Sequence, residues 1–371
     1  MSKPILAVIR GFRPRMAQIY FFSRFRHFQI RFIGNKIPPE AAKFKNKIHF
    51  VDLPLKPFYP FDPLSFGKIH NYSWRKLAGL PSWLKDVDLI ETYVTFFFYS
   101  RQAAISAEKI GRPLAVSLWE IDPRHPGTWL PPYCWNTKKV LDKTDLFILR
   151  SKKAGRFLDY FRIGEEKRKQ IYMGIDLNLF QPGRGGGGQR ILYVGRLAKF
   201  KGIEDLIAAF RIVSRKRKET ELWLVGQGPL AGKLRRISRG LRVKFLGGRR
   251  YEEMPAIYQQ VDLVCLPSRT LRYFGFFKGS QEMFSYAAME AMASGLPVVA
   301  SRIGGLVESV APGNSWIQEG DVAGLARKLE AFLNDGQLRK KVGRANRHFA
   351  LEKYDLKKQA EKTEKALLGL I

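Results

Sequence analysis

Short apolar runs rich in β-branched and aromatic residues alternate along the chain with segments whose apolar positions recur at helical spacing. Such alternation predicts βα units closing on parallel sheets. In the first half, Ile5–Ile9, Phe28–Ile33, Ile48–Leu53, Asp88–Val94, Pro113–Leu118 and Leu146–Leu149 read as strands. The pattern begins again with Ile191–Val194, Leu222–Val225, Val243–Leu246, Leu263–Leu266 and Pro297–Ala300, with helices such as Ile203–Val213 and Tyr286–Ala293 between them. Two doubly wound α/β domains in tandem are expected.

Between the two series lies QPGRGGGGQR, Gln181–Arg190, where four consecutive glycines hold neither helix nor strand and Pro-Gly is turn chemistry. The segment is the domain linker or a loop beside it. The expected domains are therefore 1–180 and 181–354. Residues 355–371 hold a charged, alternately apolar helix, Leu356–Leu368, that crosses back onto the first domain. A length of 371 residues suits two cores better than one.

Composition is globular, with 45% hydrophobic and 26% charged residues. Charge changes the picture more, because 65 Lys and Arg against 33 Asp and Glu give a formal +32. Nucleic acid, an anionic membrane surface and phosphorylated small molecules all suit such a field. The two cysteines, Cys134 and Cys265, lack metal-ligand or C-x-x-C spacing, and Cys265 in VDLVCLP reads as a buried thiol. With no run of 18 apolar residues and no secretory leader pattern, the expectation is a soluble cytoplasmic protein in a reducing compartment.

Two segments carry chemistry. In ILYVGRLAKFKG, 191–202, a strand ends at Gly195 and is followed by Arg196, Lys201 and Gly202 before a helix. A glycine there lets a ligand approach the backbone, and two cations beside a helix N-terminus suit phosphate. In QEMFSYAAMEAMASGLPVVASRIGG, 281–305, Glu282 precedes a helix and Glu290 lies inside it, so the two carboxylates are expected to face one cleft at different depths. Ionised carboxylates accept hydrogen bonds from the hydroxyls of ribose and sugar. Each segment alone is also consistent with an ordinary βα turn or a solvated amphipathic helix.

Together, VGRLAKFKG, LWLVGQGPL, FLGG, VDLVCLPS, E-x7-E with EAMASGLPVVAS, and the following GG resemble family 4 of the glycosyltransferases, in that family's order and spacing over residues 191–305. The resemblance implies a GT-B fold, two Rossmann-like domains facing across a cleft, the N-terminal one binding acceptor and the C-terminal one a nucleotide-sugar donor. It also implies retention of anomeric configuration, with no metal and no other cofactor. Arg196 and Lys201 would hold the diphosphate and stabilise the leaving nucleotide. Glu290 would take the ribose, and Glu282 the donor sugar beside the reacting carbon, where an oxocarbenium-like transition state favours a carboxylate. Gly195 and the turn Met283, Phe284, Ser285 complete the donor site. Ser285 stands where the family usually has glycine, which makes that turn less permissive.

The N-terminal half resembles the family mainly through strand order and YMGID leading to LNLF at 172–180. After PLAVSLWEIDPRHP the family often has a His near the donor sugar; here Trp119 and Glu120 stand at the strand end, with His125 five residues later between Pro123 and Pro126. Glu120 is the stronger catalytic candidate and His125 reads as a turn residue. The first 39 residues hold eight Lys and Arg and no acid, interleaved with Phe12, Phe21, Phe22, Phe25, Phe28 and Phe32. Core packing is the expected fate of the rings, with a helix ending near Phe25. Arg13, Arg15, Arg24, Arg26 and Arg31 suit a lipid-linked or polyanionic acceptor at the cytoplasmic face of an anionic membrane, or form a charged face with no target. Other readings are a noncatalytic nucleic-acid binder, which lacks any recognisable motif here, and a GT-B sugar-nucleotide epimerase.

Overall fold

The computed structural model describes residues 2–12, 15–57, 75–119, 123, 126–131, 133–270, 272–273, 277–278, 282 and 284–371. The chain divides into two compact units, Met1–Gly174 with Leu356–Ile371, and Ile175–Asp355.

The first unit is built on a parallel sheet of β1 (Ile5–Phe12), β2 (Gln29–Asn35), β3 (Ile48–Asp52), β4 (Leu89–Tyr93), β5 (Leu114–Leu118), β6 (Leu146–Leu149) and β7 (Arg168–Gln170). Their order across the sheet is β3-β2-β1-β4-β5-β6-β7. The strands LAVSL and LFIL are buried at every position, as expected of parallel strands covered on both faces. The helix Met16–Phe22 is shorter than expected and stops before Phe25, yet Phe21, Phe22, Phe25, Phe28 and Phe32 are all buried. These five phenylalanines of the basic N-terminal stretch are thus core.

A buried charge network ties the centre of this sheet together. Arg10, at the end of β1, donates to both oxygens of Glu91 on the adjacent β4, at 2.6 and 3.0 Å, and its guanidinium lies 5.1 Å from the centres of the Phe22 and Tyr93 rings. Ser117 on β5 donates to Glu91 Oε1 at 2.6 Å. Arg150, just after β6, donates in turn to Ser117 Oγ at 3.1 Å and to Thr363 Oγ1 at 3.2 Å, on the helix Leu356–Leu368. That helix is fixed again by Glu364, which accepts from the backbone N–H groups of Arg26 and His27, each at 2.6 Å.

The second unit has a parallel sheet of β8 (Arg190–Val194), β9 (Glu221–Val225), β10 (Val243–Gly247), β11 (Leu263–Leu266), β12 (Val298–Ser301) and β13 (Ser315–Ile317). The order is β10-β9-β8-β11-β12-β13. Residues 175–180 go with this unit and not the first. Ile175 bridges Asp355, the Phe180 ring packs edge-on to Tyr251 and Tyr258, and Arg347 donates to the Phe180 carbonyl at 2.7 Å. The glycine-rich segment is therefore a loop of the second unit and not the connection between units. Asp262 holds it, accepting from the N–H groups of Gly186, Gly188, Gln189 and Arg190 at 2.8–3.1 Å.

Removing the Glu91 carboxylate takes from the buried Arg10 guanidinium the charged partner it is bonded to. Glu91→Gln is expected to cost roughly 3–5 kcal/mol of folding stability, read from the urea midpoint of the purified variant against the parent.

Candidate active site

Each sheet reverses its winding next to its first strand, between β1 and β4 and between β8 and β11. Ligands of open α/β sheets gather beyond the strand carboxyl ends at such a point. In the second unit the loops leaving β8 and β11 meet there. Arg269 N donates to the Phe200 carbonyl at 2.7 Å. Gly202 has φ +63°, and a methyl built on it would stand 1.8 Å from the Pro267 carbonyl oxygen. Only glycine lets the two loops close in this way. Arg269 also forms a bidentate pair with Asp205, in the first turn of the helix Ile203–Lys216.

The first loop begins at Gly195, whose φ is +154° and whose absent Cβ would lie 2.8 Å from the Tyr193 hydroxyl. That hydroxyl donates to the Arg196 carbonyl at 3.0 Å. Burial, then the nearby Glu282 carboxylate, push Tyr193 well above the ordinary tyrosine range, so it stays protonated and keeps its donor. The Arg196 side chain is exposed and makes no ion pair among the described residues. Lys201 Nζ is paired with Glu282 Oε2, and both side chains are largely buried. Ser268, after β11, donates to that same oxygen at 3.1 Å. Glu282 is held by its backbone as well, its carbonyl accepting from Gly305 N at 2.6 Å.

Phe284 turns inward and packs edge-on to Tyr354, with ring centres 5.9 Å apart, so what it can offer a ligand is backbone. Ser285 has φ −99°, an extended conformation open to any residue, and caps the helix Tyr286–Ala293 by accepting from Ala288 N at 3.3 Å. The serine therefore imposes no strain where the family pattern would place glycine. Glu290 is buried on that helix and accepts from the Tyr258 hydroxyl at 2.9 Å. Burial, then Glu290 itself, raise Tyr258 well above its ordinary range. Glu120, His125 and Met283 lie outside the described residues, as do Arg13 and much of the 270–280 loop. Trp119, at the end of β5, is buried.

The structure thus brings Lys201 and Glu282 together from opposite ends of the motif region and seats Gly195 and Arg196 on the same loop as Lys201. It adds Ser268 and Tyr258, which the motif reading did not single out. Ser268 had a signal, as the last residue of VDLVCLPS at a strand end; Tyr258, 32 residues from Glu290, had none. Among the described residues no group of three or more His, Cys, Asp or Glu is placed to hold a metal ion, and no helix is long and apolar enough to cross a membrane. Cys265 is buried, and burial pushes its thiol up, beyond reach of ionisation at neutral pH.

Two Rossmann-like sheets with this strand order define the GT-B fold of glycosyltransferases. A crystal structure of Anabaena HepE in complex with UDP shares it, with a TM-score of 0.75 and 20% identity over 99% of this chain and 100% of that one. Residues 175–349, nearly all of the second unit, match the family model of the group 1 glycosyl transferases. The chain is 27% identical to sulfoquinovosyl transferase of Arabidopsis thaliana over 254 residues, 63% of this chain and 46% of that protein. It is 27% identical to D-inositol 3-phosphate glycosyltransferase of Corynebacterium aurimucosum over 312 residues, 76% of this chain and 67% of that protein. The chain thus spans less than half the length of the first of these relatives.

The closeness of Gly202 to Pro267 is open to a direct test. Gly202→Ala forces a side chain into both a left-handed backbone and a carbonyl oxygen, and a cost of about 1–3 kcal/mol is expected. Differential scanning calorimetry of the variant reads this as a lowered melting temperature; an unchanged one would mean that the two loops do not meet as described.

Proposed function

We propose that the protein transfers a sugar from a nucleoside-diphosphate sugar to a hydroxyl acceptor, with retention of configuration and without a metal, as a family 4 glycosyltransferase. The observation that carries this reading is the Lys201–Glu282 pair beside the exposed Arg196, at the switch point of a group 1 glycosyl transferase domain. Arg196 and Lys201 bind the diphosphate and stabilise it as it leaves, Glu282 takes the hydroxyls of the donor sugar, and Glu290 takes the ribose. UDP in the HepE structure supports a nucleotide-sugar donor. A nucleic-acid binder has no comparable support.

For the acceptor we propose a lipid-linked or polyanionic hydroxyl compound met at the cytoplasmic face of an anionic membrane. Arg15, Arg24 and Arg26 are exposed. Arg31 is not available to a membrane: it makes a bidentate pair with Asp86 and holds that carboxyl down at about 2. With the neighbouring phenylalanines buried, the attraction is electrostatic, about 1 kcal/mol for each cation near the surface.

The donor reading is tested by thermal shift and calorimetry with UDP-glucose, GDP-mannose and ADP-glucose in the presence of EDTA. One of these is expected to stabilise the protein, Glu290→Ala to weaken its binding by roughly 1.5–3 kcal/mol, and Arg196→Ala and Lys201→Ala to depress turnover at saturating donor. Full turnover in both cation variants would reject the diphosphate assignment, and NMR of the product anomer decides retention.

The membrane reading is tested by co-sedimentation with vesicles with and without anionic lipid. Binding to the anionic vesicles is expected to fall with salt and with the change of Arg15, Arg24 and Arg26 to Gln. Equal sedimentation with neutral lipid would leave a soluble acceptor.

A further inference from the structure

We propose that Ser268 is a positioning residue that keeps Glu282 in place at the donor sugar once Lys201 has been drawn to the diphosphate. The inference rests on the donor-site reading above. Two donors, Lys201 Nζ and Ser268 Oγ, converge on one oxygen of Glu282, Oε2, and the Oε1 oxygen is the one left to accept from a sugar hydroxyl. The two donors differ in kind. Lys201 is a charged group on a flexible four-carbon stem, which an incoming diphosphate competes for. Ser268 is a short, neutral donor, 2% exposed, whose hydroxyl is bonded to Glu282.

Its placement is fixed on both sides. The carbonyl of Pro267 presses on Gly202, and the N–H of Arg269 is bonded to the Phe200 carbonyl, so Ser268 is clamped between two contacts with the very loop that carries Lys201. Glu282 is anchored independently through its carbonyl to Gly305 N. In the free protein Lys201 neutralises Glu282. When the diphosphate takes Lys201, the carboxylate loses a charged partner and a sugar hydroxyl replaces it at Oε1, while Ser268 alone maintains the direction of the group. Recognition of the sugar is in this way coupled to recognition of the diphosphate, and Ser268 acts on the first and not on the second.

The experiment compares parent, Ser268→Ala and Ser268→Thr by calorimetry with the nucleotide sugar that binds in the panel above and with its free nucleoside diphosphate, together with kcat and melting temperature. Ser268→Ala is expected to bind the nucleoside diphosphate like the parent and to lose about tenfold in sugar-nucleotide affinity or kcat, and Ser268→Thr, which keeps the hydroxyl, to retain both. In a Glu282→Gln background the alanine change is expected to add no further loss. An equal loss for nucleotide and nucleotide sugar, a loss that persists in that background, or no loss at all would overturn the role of Ser268. A parent protein that binds no nucleotide sugar would instead overturn the donor-site reading, and this inference with it.

Discussion

The contact of Gly202 with the carbonyl of Pro267 is where the second unit turns from a stable sheet into a chemical site, because it forces the loops after β8 and β11 to share one space. Those strands are neighbours only because the sheet order reverses there, so the contact is a product of topology before it is a product of side chains. Once the loops are joined, Lys201 and Ser268 lie side by side without any further adjustment. Glu282, arriving from a third loop, meets both donors at one carboxylate oxygen.

The first unit has the same strand order and meets the same reversal, but it fills that position differently. Arg10 stands at the end of β1 with Glu91 on β4, and the chain of hydrogen bonds runs on through Ser117 to Arg150 and Thr363. Every member of this chain is buried. Such a network commits Arg10 and Glu91 to each other, and a buried pair of this kind is costly to break because it leaves one charge uncompensated. Two equivalent folds thus fill their central crossing differently, one with a buried network that joins the sheet to its returning helix, the other with the Lys201–Glu282 pair and the exposed Arg196.

The sequence pattern located the central strands because they are buried on both faces and read as continuous apolar runs, as in LAVSL and LFIL. It passed over β7, Arg168–Gln170, and β13, Ser315–Ile317, since an edge strand of three residues that is polar or half-exposed has no periodicity to read. The glycine run 185–188 read by composition as the linker or a loop beside it, and composition could not foresee that Asp262, more than seventy residues on, would supply four bonds to its backbone. The same limit applies to the site. Lys201 and Glu282 were legible as motif residues, whereas the Tyr258 hydroxyl on Glu290 is a contact between distant segments with no local signature.

Net charge was the most conspicuous property of the sequence and is the least informative about chemistry, and the pairing of individual cations explains why. Arg10 is bound to Glu91, Arg31 to Asp86 and Arg269 to Asp205. These are held by the fold, and their charges are largely cancelled where they stand. Arg196 differs in being exposed, at the switch point, on a backbone turn fixed from beneath by Tyr193. A cation in that position adds no stability that another residue could not supply, since a solvated guanidinium gains little from the fold itself. A sum over the sequence erases the distinction between cations paired within the fold and Arg196, which is exposed at the switch point and makes no ion pair among the described residues.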